Sequence, residues 1–280
     1  MSTITAADVK KLRERTGLPL MDCKKALLEA NGDQDLAVEE LRKRGQAIQA
    51  TRSDRETTFG RFGLYRGTAK SSGAMVELQC ESAPVASNEE FVQLANDLAE
   101  RLATGPGAVT ADELLDQPSP SKKGLTLREQ KDDLFNRIRE VFNIKRMHRY
   151  NTGTGGYCHN LGTVSGVLVS VEGGDDETAK DVSMHIAAMK PTALTVADLD
   201  PAAVAKEREI LVGAALAEGK PKAIVEKMVD GRLKNFFKET VLLEQAFVKD
   251  DKQTIAQLAA SKNMKILGYT HWELGSKHAD

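Results

Sequence analysis

Three short stretches at the start of the chain carry apolar residues at helical spacing: Val9 and Leu12, then Ala26, Leu27 and Ala30, then Leu36, Ala37 and Leu41. This spacing predicts a compact three-helix unit over residues 1–45. Thr5 with Asp8 caps the first helix, and Thr16-Gly17-Leu18-Pro19-Leu20 breaks it. The second runs from Met21 or Asp22 through Ala30, with Gly32 as a left-handed stop. The third runs from Asp35 to Arg44, and Gly45 closes it. So small a unit is marginal alone. The apolar loop Leu18-Pro19-Leu20-Met21 is therefore either packed inside or offered to a partner. Residues 46–56 are polar, lack periodicity and read as a linker.

The pattern then changes period. Thr58 to Tyr65 is aromatic-rich, Ser71-Ser72-Gly73 turns, and Met75-Val76-Glu77-Leu78-Gln79-Cys80 alternates apolar with polar. This predicts a hairpin whose second strand is half-buried. Phe91, Leu94, Ala95, Leu98 and Leu102 return to helical spacing, and Ser87 with Glu90 forms a capping box, so a helix is expected from Asn88 to Ala103. Between strand and helix lies a short exposed turn, Ser82-Ala83-Pro84-Val85, which shows no activated nucleophile, no base and no metal ligand. Turns held by rigid elements are the usual place for a working loop. Thr126 with Glu129 opens another helix, with Leu127, Leu134, Ile138 and Val141 inward, and Ile144 to Tyr150 reads as a strand. Residues 57–150 thus form one small α+β subdomain.

The outline then repeats. Asn151 to Gly156 reads as a loose turn, and Val167 to Val171 as a buried strand within 161–172. A helix carrying Val182, Ile186 and Ala187 is halted by Lys190-Pro191. Residues 200–240 differ: Asp200 caps, Pro201 takes the first helical position, Gly219-Lys220-Pro221 turns, and Val225, Val229, Leu233 and Phe236 form one narrow stripe. This predicts a projecting antiparallel coiled-coil hairpin, because a narrow stripe covers only one side. Gln245 to Val248 reads as a short strand, Lys252 to Ala260 as a helix and Met264 to Glu273 as a last strand. Residues 151–199 and 241–276 make the second subdomain, with 277–280 as a tail. The fold class is α+β.

Composition removes several functions. Hydrophobic residues are 41% and charged residues 29% of 280, which fits a folded chain. The net charge of −2 lacks the basic excess of most nucleic-acid binders. Cys23, Cys80 and Cys158 are an odd number and far apart, so neither a disulfide framework nor a zinc site is indicated, and a reducing cytoplasm is favoured. No apolar signal or membrane-spanning run is seen, so neither membrane nor secretion is expected. His148, His159, His185, His271 and His278 have no paired metal-ligand spacing. Gly153, Gly155 and Gly156 miss the dinucleotide pattern, whose third glycine falls at Cys158. Cys158 and His159 are adjacent, so on a strand they point to opposite faces, and no third group orients a nucleophile. The residues alone describe a multi-domain interaction protein without catalysis or cofactor.

Long motifs identify a resemblance. Leu12-Arg13-Glu14-Arg15-Thr16-Gly17, Met21-Asp22-Cys23-Lys24-Lys25-Ala26-Leu27 and Glu29-Ala30-Asn31-Gly32-Asp33 resemble the N-terminal signature of the translation elongation factor Ts family. Met184 to Pro191, Gly219-Lys220-Pro221-Lys222, Glu226-Lys227-Met228-Val229 and Gly231-Arg232 resemble further family segments, the last three its coiled-coil hairpin. The resemblance runs from Ile4 to about Gly275. It implies a guanine nucleotide exchange factor for the GTPase elongation factor Tu, which binds Tu·GDP, displaces Mg²⁺ and promotes GDP release. It also implies that the three-helix unit is ubiquitin-associated-like and docks on the GTPase domain through Arg13, Leu20, Met21, Asp22 and Cys23. His159 of Tyr157-Cys158-His159 would meet another Tu domain. No catalytic residue, cofactor, nucleic acid or small-molecule substrate of its own is implied.

One stretch departs from the family. Its Thr-Asp-Phe-Val element, which disturbs the Mg²⁺ site of the partner, reads Ser82-Ala83-Pro84-Val85 here. A proline buries less area than a phenylalanine, so this anchor is expected to be weaker. The alternatives are a Tu-binding chaperone or sequestering paralogue with weak exchange activity, a ubiquitin-associated-type adaptor, or an enzyme using Cys158 and His159.

Overall fold

The computed structural model describes residues 4–52, 54–160, 162, 164–218 and 221–276. The chain is an α+β protein, and its contacts divide it into two units. The first holds the described residues of 1–65, 74–149 and 274–280; the second holds those of 66–73 and 150–273.

The first unit begins with helices α1 (Ala6–Thr16), α2 (Leu20–Glu29) and α3 (Gln34–Ala50). Leu12, Cys23, Ala26, Leu27, Ala37 and Leu41 are buried between them. The Thr5–Asp8 capping box forms, and Gly17 ends α1 at φ 68°. Leu36, expected inside, is exposed. The third helix does not stop at Gly45, so 46–50 is helix rather than linker. The reason is tertiary: a Cβ at Gly45 would overlap the amide of Asn136 on the facing helix, so this glycine permits close approach instead of ending the helix.

Strands β1 (Phe59–Tyr65) and β2 (Gly73–Cys80) pair antiparallel, Phe59 opposite Cys80 and Tyr65 opposite Ala74. Helices α4 (Ala83–Ala86), α5 (Glu89–Thr104), α6 (Ala111–Leu115) and α7 (Leu127–Ile138) follow, then strand β3 (Asn143–Tyr150), which adds beside β2. Val76, Leu78, Phe91, Leu94, Leu98, Leu134, Phe135 and Phe142 fill the core. β2 is buried along its whole length rather than on one face, because it is the middle strand. Its polar positions are paired instead of solvated. The Glu77 carboxylate accepts from Arg146 Nε at 2.7 Å, Gln79 Nε2 at 2.7 Å and Gly275 N at 3.1 Å. The cap of α5 is Asn88, not Ser87: its side chain accepts from the backbone of Glu90 and Phe91.

In the second unit, strands β4 (Gly153–His159) and β5 (Ser165–Gly173) form the hairpin and α8 (Asp176–Met189) covers it. Helices α9 (Pro201–Ala217) and α10 (Lys222–Thr240) pack together around Ala215, Val225, Val229 and Leu233. The stripe continues to Phe237 rather than Phe236. Asp200 caps α9 and Pro201 opens it, as expected. Of the expected turn Gly219-Lys220-Pro221, the first two residues lie outside the described residues, as do His278 and the rest of the tail. The chain closes with β6 (Ala246–Phe247), β7 (Asp250–Thr254), α11 (Ile255–Ser261) and β8 (Met264–Glu273). The last strand pairs antiparallel with β5, so the second sheet runs β4-β5-β8. Lys252 to Thr254 is strand, not helix, since the Thr254–Gln257 capping box starts α11 only at Ile255.

Residues 153–156 are strand rather than a loose turn. Their glycines serve packing. A Cβ at Gly155 would overlap the backbone of Ala179 on α8. The first unit has the same device: a Cβ at Gly63 of β1 would overlap the backbone of Ala95 on α5. Each glycine faces a valine on the middle strand, Gly63 opposite Val76 and Gly155 opposite Val169. The two units thus share hairpin, covering helix and an added third strand, and also the point where helix meets sheet.

Candidate functional site

Three candidate surfaces are built by these elements. The first is the turn after β2, which is helical rather than open. α4 is a single turn, with Ser82 at its cap position and Pro84 in its first turn. The Ser82 side chain does not cap that helix. Its Oγ and N instead donate to the Glu140 carboxylate, at 2.5 and 3.0 Å. The neighbouring acid reciprocates: Glu81 accepts from Val141 N at 2.9 Å and from Arg55 Nη1 at 2.9 Å. Two carboxylates therefore cross between the β2–α4 and α7–β3 junctions, each holding the backbone N–H of the other strand end. Val85 leans on the core while Ala83 and Pro84 face solvent. Burial pushes the thiol of Cys80, at the root of the turn, up to about 12, which disfavours a reactive thiolate.

The second surface is the start of α2. Leu20 is 48% and Met21 69% exposed, although both are apolar. Packing inside is thus not their role. Arg13 is also exposed, on α1. Asp22 accepts from Arg139 Nη2 at 2.9 Å. Cys23 is fully buried, with Sγ 3.7 Å from the Leu18 carbonyl and from Thr16 Oγ1. It supports the surface from beneath and does not lie on it.

The third surface is in the second unit, at the end of β4. Tyr157 and His159 lie two apart on one strand face, and Tyr157 Oη is 3.1 Å from His159 Nδ1. His159 is exposed. Both border an open groove of about 560 Å³, whose other walls include Met184 and Ala188 of α8 and Val248-Lys249 of the β6–β7 turn. Behind it sits buried His185. Val248 N donates to His185 Nδ1 at 3.3 Å, so Nε2 carries the proton and donates to Gln245 Oε1 at 2.8 Å. Burial depresses the His185 pKa, in keeping with a neutral ring. Cys158 stands between Tyr157 and His159 on the alternate strand face.

None of the three surfaces gathers a nucleophile, base and orienting group. Among the described residues no helix is long and apolar enough to cross a membrane, and no group of three or more His, Cys, Asp or Glu is placed to hold a metal ion.

Comparison with known proteins gives the context. A family model described as Elongation factor TS matches residues 81–276. The elongation factor Ts of Methylococcus capsulatus is 40% identical over 276 residues, covering 98% of this chain and 92% of its own length. That of Clostridium perfringens is 42% identical over 271 residues, covering 94% and 88%. The Thioalkalivibrio sulfidiphilus protein is 38% identical over 278 residues, covering 98% and 92%. This chain belongs to the elongation factor Ts family.

The family model begins at Glu81, the first residue of the α4 turn, and leaves α1–α3 outside. The full-length relatives bring those helices in, since 276 aligned residues leave almost none of the 280 uncovered. The sequence points to Ser82–Val85, to Arg13 on α1 with the start of α2, and to His159. It gives no sign of Arg139, Glu140 or Val248. The stripe Leu127, Leu134, Ile138 and Val141 predicts a helix running past Arg139, whereas α7 ends at Ile138 and Arg139 takes the left-handed position.

Proposed function

We propose that this elongation factor Ts family member is a guanine nucleotide exchange factor for elongation factor Tu, working in translation elongation in the cytoplasm. It binds Tu·GDP, displaces the Mg²⁺ held by Tu and releases GDP, so that GTP enters. The observation that carries this reading is similarity to proteins named elongation factor Ts over nearly the whole chain and most of their length. An adaptor that used only the N-terminal helices would not require the rest of that similarity.

The physics of exchange suits chemically inert surfaces. The factor must hold nucleotide-free Tu more tightly than Tu·GDP, and by linkage GDP then weakens the factor's grip by the same ratio. No bond is made or broken by the factor, so it acts as a binding protein rather than an enzyme of group transfer. In this reading α1–α3 form a ubiquitin-associated-like domain that docks on the GTPase domain of Tu. Arg13, Leu20, Met21 and Asp22 make the contact, and Cys23 shapes it from within. Exposed Leu20 and Met21 supply its apolar centre. Ser82-Ala83-Pro84-Val85 approaches the Mg²⁺ site of Tu, and His159 meets a different Tu domain. The α9–α10 pair is a projecting coiled-coil arm.

The test is release of fluorescent GDP from the cognate Tu at catalytic amounts of the full chain. Release accelerated at one factor per many Tu molecules, with a stable complex that added GDP dissociates, supports the reading. A complex that forms without acceleration would instead mean sequestration.

A further inference from the structure

Arg139 ends α7 at φ 66°, a left-handed conformation that is unfavourable for a residue with a Cβ and free for glycine. What the arginine contributes there is reach. Its Nη2 donates to Asp22 Oδ2 at 2.9 Å, in the first turn of α2. Its carbonyl accepts from Arg52 Nη1 at 2.6 Å, just past the end of α3. The next residue, Glu140, holds Ser82 by both backbone and hydroxyl. Two consecutive residues therefore tie the three-helix bundle on one side and the cap of α4 on the other. As a stabilising pair the Asp22–Arg139 bridge is half-exposed and worth little. Its placement is more informative: it sits beside exposed Leu20 and Met21, and its neighbour sits beneath exposed Ala83 and Pro84.

We propose that Arg139 is a positioning residue, which with Glu140 forms a strut holding the α2 face and α4 as one preorganised docking surface for the GTPase. This rests on the exchange function proposed above. Preorganisation lowers the ordering cost of binding, so the strut acts on encounter and not on the release step itself.

The experiment compares the full chain with Arg139→Gly and Arg139→Lys. Glycine suits the backbone at this position, so R139G folds with an unchanged or raised urea midpoint. In the free chain, amide hydrogen exchange over Leu20–Glu29 quickens in R139G and is restored in R139K. Equal protection in all three overturns the strut, whatever the activity. In nucleotide release with Tu·GDP as the varied substrate, R139G raises KM about two- to fivefold and leaves kcat unchanged, and R139K recovers most of the loss. An unchanged KM overturns the positioning role. No release by the unmodified chain defeats the exchange reading separately, and the amide protection then still decides whether the strut exists.

Discussion

The Ala83→Asp/Pro84→Phe double substitution tests whether the α4 turn is an active anchor. Both side chains face solvent, so the change touches no core contact. Pro84 lies in the first turn of a four-residue helix, and its loss costs the free chain about 0.4–1 kcal/mol through the unfolded state. The partner side is larger. Phenylalanine exposes about 80 Å² more apolar surface than proline, worth about 2 kcal/mol if fully covered at ~25 cal/mol per Å². Immobilising the ring costs about 0.5–1 kcal/mol, leaving about 1–1.5 kcal/mol, or roughly tenfold in affinity. The assay is stopped-flow release of fluorescent GDP from the cognate Tu under subsaturating factor. We expect kcat/KM to rise by about tenfold with the free energy of unfolding changed by less than about 1 kcal/mol. If the double variant folds equally well and releases GDP no faster, this turn does not reach the Mg²⁺ site and the reasoning fails.

Two further outcomes follow from the packing. Gly45→Ala should destabilise by about 1–3 kcal/mol in urea unfolding because the new methyl overlaps Asn136, whereas Gly213→Ala and Gly231→Ala, in open helix surface, should each stabilise their helix by about 1 kcal/mol. A gain at Gly45 would mean that α3 and α7 do not pack closely. Burial lowers the folded pKa of His185, so the unfolded chain binds its proton first: the stability this group gives is present above about pH 6.5 and is lost as pH falls from there through the lowered folded value. His271, lowered by burial too, has the same sign. The half-buried carboxyls of Asp132 and Asp133 are raised by desolvation and work oppositely, so the informative quantity is a difference. The stability gap between the native chain and His185→Phe should shrink between pH 7.5 and 5.5, and a constant gap would contradict the neutral tautomer.

What the sequence made legible was what it decides locally. The capping boxes at Thr5–Asp8 and Thr126–Glu129 mark real helix starts, and Asp200-Pro201 opens α9. Structure departs from local pattern wherever a residue answers to a distant neighbour. Gly45 looked like a stop and the glycines of 153–156 like a turn, yet Asn136 and Ala179 explain Gly45 and Gly155. Glu77 and Gln79 implied a solvated face, yet the carboxylate of Glu77 is matched by Arg146, 69 positions away. Ser87 mimicked a cap one residue before the true one, because Asn88 competes for the same N–H groups. The candidate site divides in the same way. Exposed Leu20 and Met21 were visible as an apolar loop, but the bridge from Asp22 to Arg139 spans 117 positions and leaves no local trace.

The order of strands in the two sheets sets a timetable for synthesis. The first sheet, β1-β2-β3, is complete once Tyr150 has left the ribosome. The second waits for β8, which begins at Met264, 91 residues after β5 ends at Gly173. At about 5–20 residues per second, β5 lacks its second neighbour for roughly 5–20 s. During that time Val167, Val169 and Val171 lie on a strand with an open edge, the kind of segment that pairs wrongly with other chains. A chain ending at Asn263 should therefore keep protected amides in β1 and β2 yet lose them in β4 and β5, and should self-associate. Protection retained in β5 without its last neighbour would show that the nascent second unit guards its own edge.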